Sequence, residues 1–408
     1  MISRRAVDVS PASGAHLRRP PPAPTSGARL RRPPPAPASV WSIPGGRYSG
    51  LMSTIDPPPL DQTPIRTGII GYGLSGRIFH APFIAANPRF SLEVVATSHA
   101  GRQAVARSQH PAIDTVNTPG ELIERGLDLV VLASPGHAHL EQGLAALAAG
   151  SAVVVDKPFA ASVAEAEQLI AAAEAAGRPL MVFQNRRWDG DFLTVQKLLT
   201  EGVLGTVHRF ESTFERWSPG LRDRWQDTTT SAQGAGITFD LGSHLIDQAL
   251  LLFGPATIAD AELSILRKGG VSDDESFISL LHASGTRSHL TISRFAGQNG
   301  PRFRVLGDRS AFTIYGLDTQ EPALMAGGSP TDERFGAAPE DTWGTVGITG
   351  SGEFPLTKVP TERGHYAGFY AGVAATIRDG AALPVDPRGA LETLRIIEGV
   401  HGFTRERR

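Results

Sequence analysis

The chain contains no cysteine among its 408 residues, which excludes disulfides, thiolate metal sites and a cysteine nucleophile. It also lacks an excess of either charge. Its 39 Lys and Arg stand against 41 Asp and Glu, a formal net charge of -2, so no field draws it to nucleic acid or to an acidic membrane surface. Apolar runs approaching the roughly 20 residues that span a bilayer are missing as well. His, Asp and Glu nowhere recur at a convincing metal-ligand spacing, and paired carboxylates for glycoside hydrolysis are not evident. These absences leave a small molecule as the expected partner, with no nucleic acid, no membrane and no metal.

What is present begins with an unusual first stretch. "SGAHLRRPPPAP" at Ser13 to Pro24 returns as "SGARLRRPPPAP" at Ser26 to Pro37, a proline-arginine repeat that cannot build a core. Residues 1–62 are therefore expected to be an extended or disordered extension. The early Ser3-Arg4-Arg5 resembles a twin-arginine export signal, but no apolar segment of roughly 7 to 15 residues follows it, so a cytoplasmic location is expected. Met52 offers an alternative start, which would make the repeat translated upstream sequence.

Folded sequence is predicted from Ile65. "IRTGIIGYGLSGRIFHAPFI" reads as a strand, a glycine turn and a helix, with Gly71, Gly73 and Gly76 in G-x-G-x-x-G spacing around Leu74 and Ser75. The first glycine permits a tight turn, the second lets a pyrophosphate approach the backbone, and the third allows close helix-strand packing beneath the helix N-terminus. A glycine turn alone is weak evidence. Here it opens a βα alternation, with strands predicted near Leu92 to Ala96, Asp128 to Ala133, Ala152 to Val155 and Leu180 to Phe183, and helices near Ala138 to Ala149 and Val163 to Ala176. That pattern calls for a doubly wound parallel sheet over 63–186.

The second strand ends Thr97-Ser98-His99, with Arg102 following, where an NAD site usually places Asp or Glu. Hydroxyls and an arginine suit the 2'-phosphate, so NADP is the expected cofactor, with Ser98 and Arg102 reading it. NAD stays as the alternative, in which case Arg102 is a solvated first-turn residue. The strand at Ala152 to Val155 runs into Asp156, Lys157 and Pro158, beyond a strand's carboxyl end, where parallel-sheet ligands sit. Two readings of Lys157 stand by sequence: a lysine that binds a substrate hydroxyl beside the nicotinamide, or a surface lysine paired with Asp156.

"FDLGSHLIDQALLLFG", Phe239 to Gly254, poses a question of its own. Leu241, Leu245, Ala249 and Leu252 recur at helical spacing and call for a core. Asp240, His244 and Asp247 on the same segment must be satisfied within that core or look into a cavity. Taken in order, the glycine turn, Asp156-Lys157-Pro158, "FQNRRWDGDFLTVQKLL" and "GAGITFDLGSHLID" resemble the glucose-fructose oxidoreductase / inositol dehydrogenase / MocA family of NAD(P)-dependent oxidoreductases. The resemblance spans nearly all of the folded chain and is strongest to its NADP-dependent scyllo-inositol dehydrogenase branch.

The resemblance implies roles. The family lysine falls on Lys157, and its aspartate-histidine pair falls on Asp240 and His244, which as i and i+4 share one helical face. It implies His244 as acid/base, Lys157 stabilising the developing oxyanion, and Asp240 orienting substrate or His244; whether lysine or histidine is the main base stays open. Ser134, Pro135 and His139 are implied to line the cofactor, although Gly136 stands where the family often has asparagine. The cluster Asn185, Arg186, Arg187 and Trp188 is a candidate substrate rim, with Asn185 and Arg187 favoured, or else a solvated helix start. His80 follows the glycine turn as a cofactor neighbour or a hydrogen-bonded structural histidine.

Residues 187–408 carry period-two strands in "TVHRFESTF", "ATIADAELSIL", "ESFISLLHA", "RSHLTISRF" and "RFRVLG". They are expected to form an α+β domain on a large, open, mostly antiparallel sheet, through which the resemblance implies a homodimer or homotetramer. The expected activity is oxidation of a ring alcohol of a cyclic polyol or sugar, or reduction of the ketone. Aldose dehydrogenase, NAD-dependent glycosidase and non-catalytic NAD(P) sensor are the alternatives.

Overall fold

The computed structural model describes residues 63–222 and 225–406, so the repeat-bearing extension lies outside the described residues. The first six strands are largely apolar and form one sheet in the order β3-β2-β1-β4-β5-β6. They are β1 (Ile65–Ile70), β2 (Phe90–Ala96), β3 (Asp114–Val116), β4 (Leu129–Leu132), β5 (Ala152–Val155) and β6 (Leu180–Val182). Every pairing is parallel. Such a sheet needs helices on both faces, which is why β4 and β5 are buried at every residue. Strand order reverses between β1 and β4, and the crevice at their carboxyl ends is where a ligand fits.

The second sheet has eight strands in the order β14-β13-β12-β11-β7-β10-β9-β8. These are β7 (Val207–Glu215), β8 (Ala256–Ser264), β9 (Glu275–His282), β10 (Arg287–Ser293), β11 (Phe303–Gly307), β12 (Ala311–Ile314), β13 (Gly344–Gly347) and β14 (Thr357–Val359). It is not purely antiparallel, because the central pair β7 and β10 runs parallel. The chain leaves β7, makes the helix Ser243–Phe253 and the meander β8-β9-β10, and so returns to β7 in its own direction. Alternation cannot reveal strand direction, since the side-chain period is two either way.

The two sheets belong to one compact unit, and late segments of the chain come back to the first sheet. In the helix Ala367–Asp379, Asp379 pairs with Arg89 through two 2.8 Å bonds and the Tyr370 hydroxyl meets His80 Nδ1 at 2.6 Å. His80 is thus fully buried and hydrogen-bonded.

The glycine turn is closely packed. A Cβ on Gly76 would sit 2.1 Å from the carbonyl oxygen of Gly71, and a backbone atom cannot rotate away. Gly76→Ala is expected to lower stability by about 3 kcal/mol, a typical overpacking cost, and to weaken dinucleotide binding. Urea unfolding together with a cofactor titration checks both.

Candidate active site

The carboxyl ends of β1, β4 and β5 open onto a cavity of about 510 Å³ whose opposite wall comes from the helical segment of Asp240 and His244. Gly71, Gly73, Leu74 and Ser75 form one end, and Ser134 and Pro135 flank it. Gly71 has φ 95°, and a Cβ there would meet the Ala133 carbonyl oxygen at 2.6 Å, whereas a Cβ on Gly73 would meet nothing within 4 Å. The open backbone at Gly73 is what a closely approaching pyrophosphate requires. Arg102 reaches the same cavity, and the helix Ala100–Gln109 that carries it has no acid in its first turn. Backbone, cation and volume therefore fit a phosphate-bearing dinucleotide.

Lys157 leaves the end of β5 across a cis peptide to Pro158. Its Nζ donates to the Asp240 carbonyl oxygen at 2.8 Å and to Asp240 Oδ1 at 2.9 Å. The other carboxylate oxygen, Oδ2, accepts from Arg294 Nη2 at 2.6 Å. Of the two readings of Lys157, the pairing with Asp156 through its ammonium is not what the structure shows. Asp156 Oδ1 accepts from the Lys157 backbone N–H at 2.8 Å. Burial pushes the Asp156 carboxyl up, but neighbouring His80, with Lys157 and Ser75, outweighs it and holds the carboxyl below its ordinary value.

His244 is buried, lines the cavity, and has no hydrogen-bond partner at Nδ1. Burial depresses its pKa well below the ordinary value, and the positive charges of Lys157, Arg186 and Arg302 add to the effect. The ring is neutral near pH 7, with a nitrogen able to take a proton.

The segment that carries the pair is fixed from a distance. Asp273 Oδ2 accepts from the Thr238 N–H at 2.8 Å and from its hydroxyl at 2.7 Å, and the Asp273 carbonyl accepts from the Ile237 N–H at 2.7 Å. Gly236, at φ 103°, leaves room for this carboxylate, since a Cβ there would lie 2.2 Å from Asp273 Oδ1. Thr238–Gly242 then forms a wider π turn before the α-helix Ser243–Phe253.

Three expected site residues fall elsewhere. His139 is buried with its ring nitrogens 3.2 Å from the Phe159 carbonyl and 2.9 Å from that of Ser134, so it ties the β4 and β5 ends together behind the wall instead of lining the cofactor crevice. Ser98 is exposed past the end of β2, outside the cavity wall. Arg187 is turned away from the cavity and pairs with Asp247, through bonds of 2.8 and 2.7 Å. Asn185 and Arg186 reach the cavity instead. Residues 185–188 form a 3-10 turn with about three residues per turn, so consecutive side chains point roughly 120° apart, and here Arg186 faces the cavity while Arg187 turns to Asp247. Arg294 and Glu321 also line it and had no local signal: Arg294 meets Asp240 54 residues away. Among the described residues, no group of three or more His, Asp or Glu is placed to hold a metal ion, and no helix is long and apolar enough to cross a membrane.

Family models describe this arrangement in both halves: the oxidoreductase family with an NAD-binding Rossmann fold matches residues 65–184, and the GFO/IDH/MocA C-terminal domain matches residues 192–313. The chain belongs to the GFO/IDH/MocA family. It is an NAD(P)-binding oxidoreductase with two sheets, one parallel and one mixed. IolW of Bacillus subtilis, a scyllo-inositol 2-dehydrogenase (NADP(+)), is 34% identical over 345 residues, covering 84% of this chain and 95% of that relative. The D-apiose dehydrogenase of Paraburkholderia graminis is 29% identical over 69% of this chain and 72% of its own length. The solved structure of yvaA from Bacillus subtilis superposes with a TM-score of 0.80 at 33% identity, covering 85% of this chain and 98% of that one.

Because Arg187 is held against a buried carboxylate, its loss strands Asp247 without a counter-charge. Arg187→Ala is expected to cost about 3 to 5 kcal/mol of stability while the folded enzyme keeps its substrate KM. Denaturant unfolding and steady-state kinetics on the same preparation check this; a raised KM at unchanged stability would return Arg187 to the substrate site.

Proposed function

We propose that this oxidoreductase is an NADP-preferring dehydrogenase that interconverts a ring secondary alcohol and its ketone in a cyclic polyol such as scyllo-inositol, or in a sugar. The observation that carries it is the convergence of Lys157, Asp240 and neutral His244 on one cavity with the glycine turn. When bound, NADP supplies the two-electron acceptor, and NADPH the donor. Gly71, Gly73, Ser134, Pro135 and Arg102 would hold it, with Arg102 facing the 2'-phosphate. His244 takes the proton from the substrate hydroxyl and returns it in reduction. An ammonium has three N–H donors, and Asp240 occupies two of those of Lys157. The third is left for the substrate oxygen as negative charge develops there. Asp240, held from both sides, fixes Lys157 in that direction.

The protein is further proposed to self-associate through the open face of the second sheet. That face carries Arg209, Glu211 and Arg304 joined by ion pairs, beside partly exposed Phe277 and exposed Leu281. A self-complementary face of this kind suits a two-fold dimer.

NADPH formation with inositols and aldoses, offered with NADP and with NAD, tests the activity. Lys157→Met and His244→Ala are expected to lower kcat by about 10² to 10³ while NADP still binds. NADP binding without turnover of any polyol or sugar would point to a non-catalytic sensor. The pH profile gives a separate check. A pKa depressed below the ordinary 6.5 means that His244 stays neutral on going down through pH 6.5, so the acid limb of kcat/KM in the oxidative direction is expected below that pH. An acid limb above 6.5 would assign the proton to another group.

A further inference from the structure

The cavity has a second charged pair that the chemistry above does not use. Arg186 Nη2 meets Glu321 Oε2 at 2.5 Å. We propose that Glu321 and Arg186 form a hydroxyl-reading site, which binds substrate hydroxyls away from the reacting carbon and sets which ring positions must carry one. The inference rests on the polyol reading and deepens it.

Arg186 is locked in place. Its Nη1 donates to Asp189 Oδ2 at 3.1 Å, its guanidinium lies 4.8 Å from the centre of the Phe214 ring, and its carbonyl accepts from Gln248 Nε2 at 2.8 Å. Burial pulls the guanidinium pKa down, but Asp189, Tyr366 and Glu321 more than restore it, so the group is a fixed cation. Its buried Nε has no hydrogen-bond partner. Glu321 is anchored through the residue before it: Gln320 donates to the Trp188 carbonyl at 3.1 Å and accepts from the Tyr366 N–H at 2.7 Å. The two members of the pair therefore hang from one tied loop junction.

The carboxylate itself is only half used. Arg186 holds Oε2, while Oε1 has no partner among the described residues, and the side chain keeps 33% of its exposure on the cavity wall. A hydroxyl both donates and accepts. A carboxylate oxygen beside a guanidinium edge meets both needs, or takes two adjacent hydroxyls of a ring. A substrate lacking that hydroxyl would displace water from Glu321 without replacing its hydrogen bond, which is how sites of this kind reject deoxy analogues. Lys157 and Arg294 are both engaged with Asp240, whereas the Arg186–Glu321 pair keeps a carboxylate oxygen for distant hydroxyls.

The test compares the protein with Glu321→Gln against an inositol and its monodeoxy analogues, one per ring position. It uses kcat/KM with saturating NADP, calorimetric binding to the NADP complex, and NADP affinity as the check that the variant is folded. The unaltered enzyme is expected to disfavour one or two deoxy analogues by about 10- to 100-fold, and Glu321→Gln is expected to shrink that penalty towards 1 by raising KM for the full polyol. Identical penalties in the two proteins overturn the proposal, as does a variant that loses all analogues equally. Polyol binding without turnover, weakened in Glu321→Gln, would reject the dehydrogenase reading and keep this one. Failure of the unaltered NADP complex to bind any polyol would reject both.

Discussion

The contact between Lys157 and Asp240 joins two parts of the chain 83 residues apart, and most of the site's chemistry depends on it. Lys157 comes from the carboxyl end of the fifth strand of the parallel sheet, Asp240 from the segment that leads into the His244 helix. Between Lys157 and Arg294, the Asp240 carboxylate is shared by two cations. Opposite charges about 4 Å apart at a partly buried site attract by about 4 kcal/mol, and like charges repel by a similar amount. Without Asp240 the two cations would face each other across the cavity. With it, the two are bridged, while burial first and then Lys157, Arg186 and Arg302 keep His244 neutral. A single carboxylate thus aligns the two halves at the site.

The cofactor end and the substrate end are built by different means, and this decides what a sequence can show. The cofactor end is backbone geometry: Gly71 at positive φ, open space at Gly73 and close packing at Gly76. Those demands fall on residues a few positions apart, so they leave a spacing pattern. The apolar strands of the parallel sheet are equally local in their signal, and β5 and the helix Val163–Ala176 occupy the residues their pattern predicted. β3, with three residues and only Val116 buried, carried too short a pattern to find. The parallel pairing of β7 with β10 was invisible for another reason, since direction is set by the route of the chain between them.

At the substrate end the demands are long-range. Arg294 reaches Asp240, Arg186 reaches Glu321 across 135 residues, and Asp273 caps the turn at Thr238 from 35 residues away. No window of sequence contains both members of any such pair. The motif NRRW placed arginines near the site but favoured Arg187 over Arg186, because the choice depends on the phase of a 3-10 turn and on Asp247 being there to receive Arg187. His139 misled for a similar reason. A histidine just past a strand end can face the crevice or brace it from behind, and two carbonyl oxygens in the wall settle the matter in favour of bracing.

The same division bears on how such a fold changes substrate. A side chain at Gly71 or Gly76 clashes with backbone, so those positions of the cofactor end tolerate little. The pairs at the substrate end are held by side chains, and their supports lie behind them: Asp189 and Gln248 behind Arg186, Gln320 behind Glu321. Replacing the partly exposed Glu321 leaves those supports in place, whereas replacing buried Arg186 removes the cation that opposes the rise of the fully buried Asp189 carboxyl, which burial already pushes up to about 8. Loss of Glu321 leaves Arg186 its other carboxylate partner, Asp189, whereas loss of Arg186 leaves a buried carboxyl without its ion-pair partner, which costs several kcal/mol. Glu321 is therefore the member free to vary without unfolding the site, and differences in the hydroxyls read by proteins with this architecture should arise at its position before they arise at Arg186.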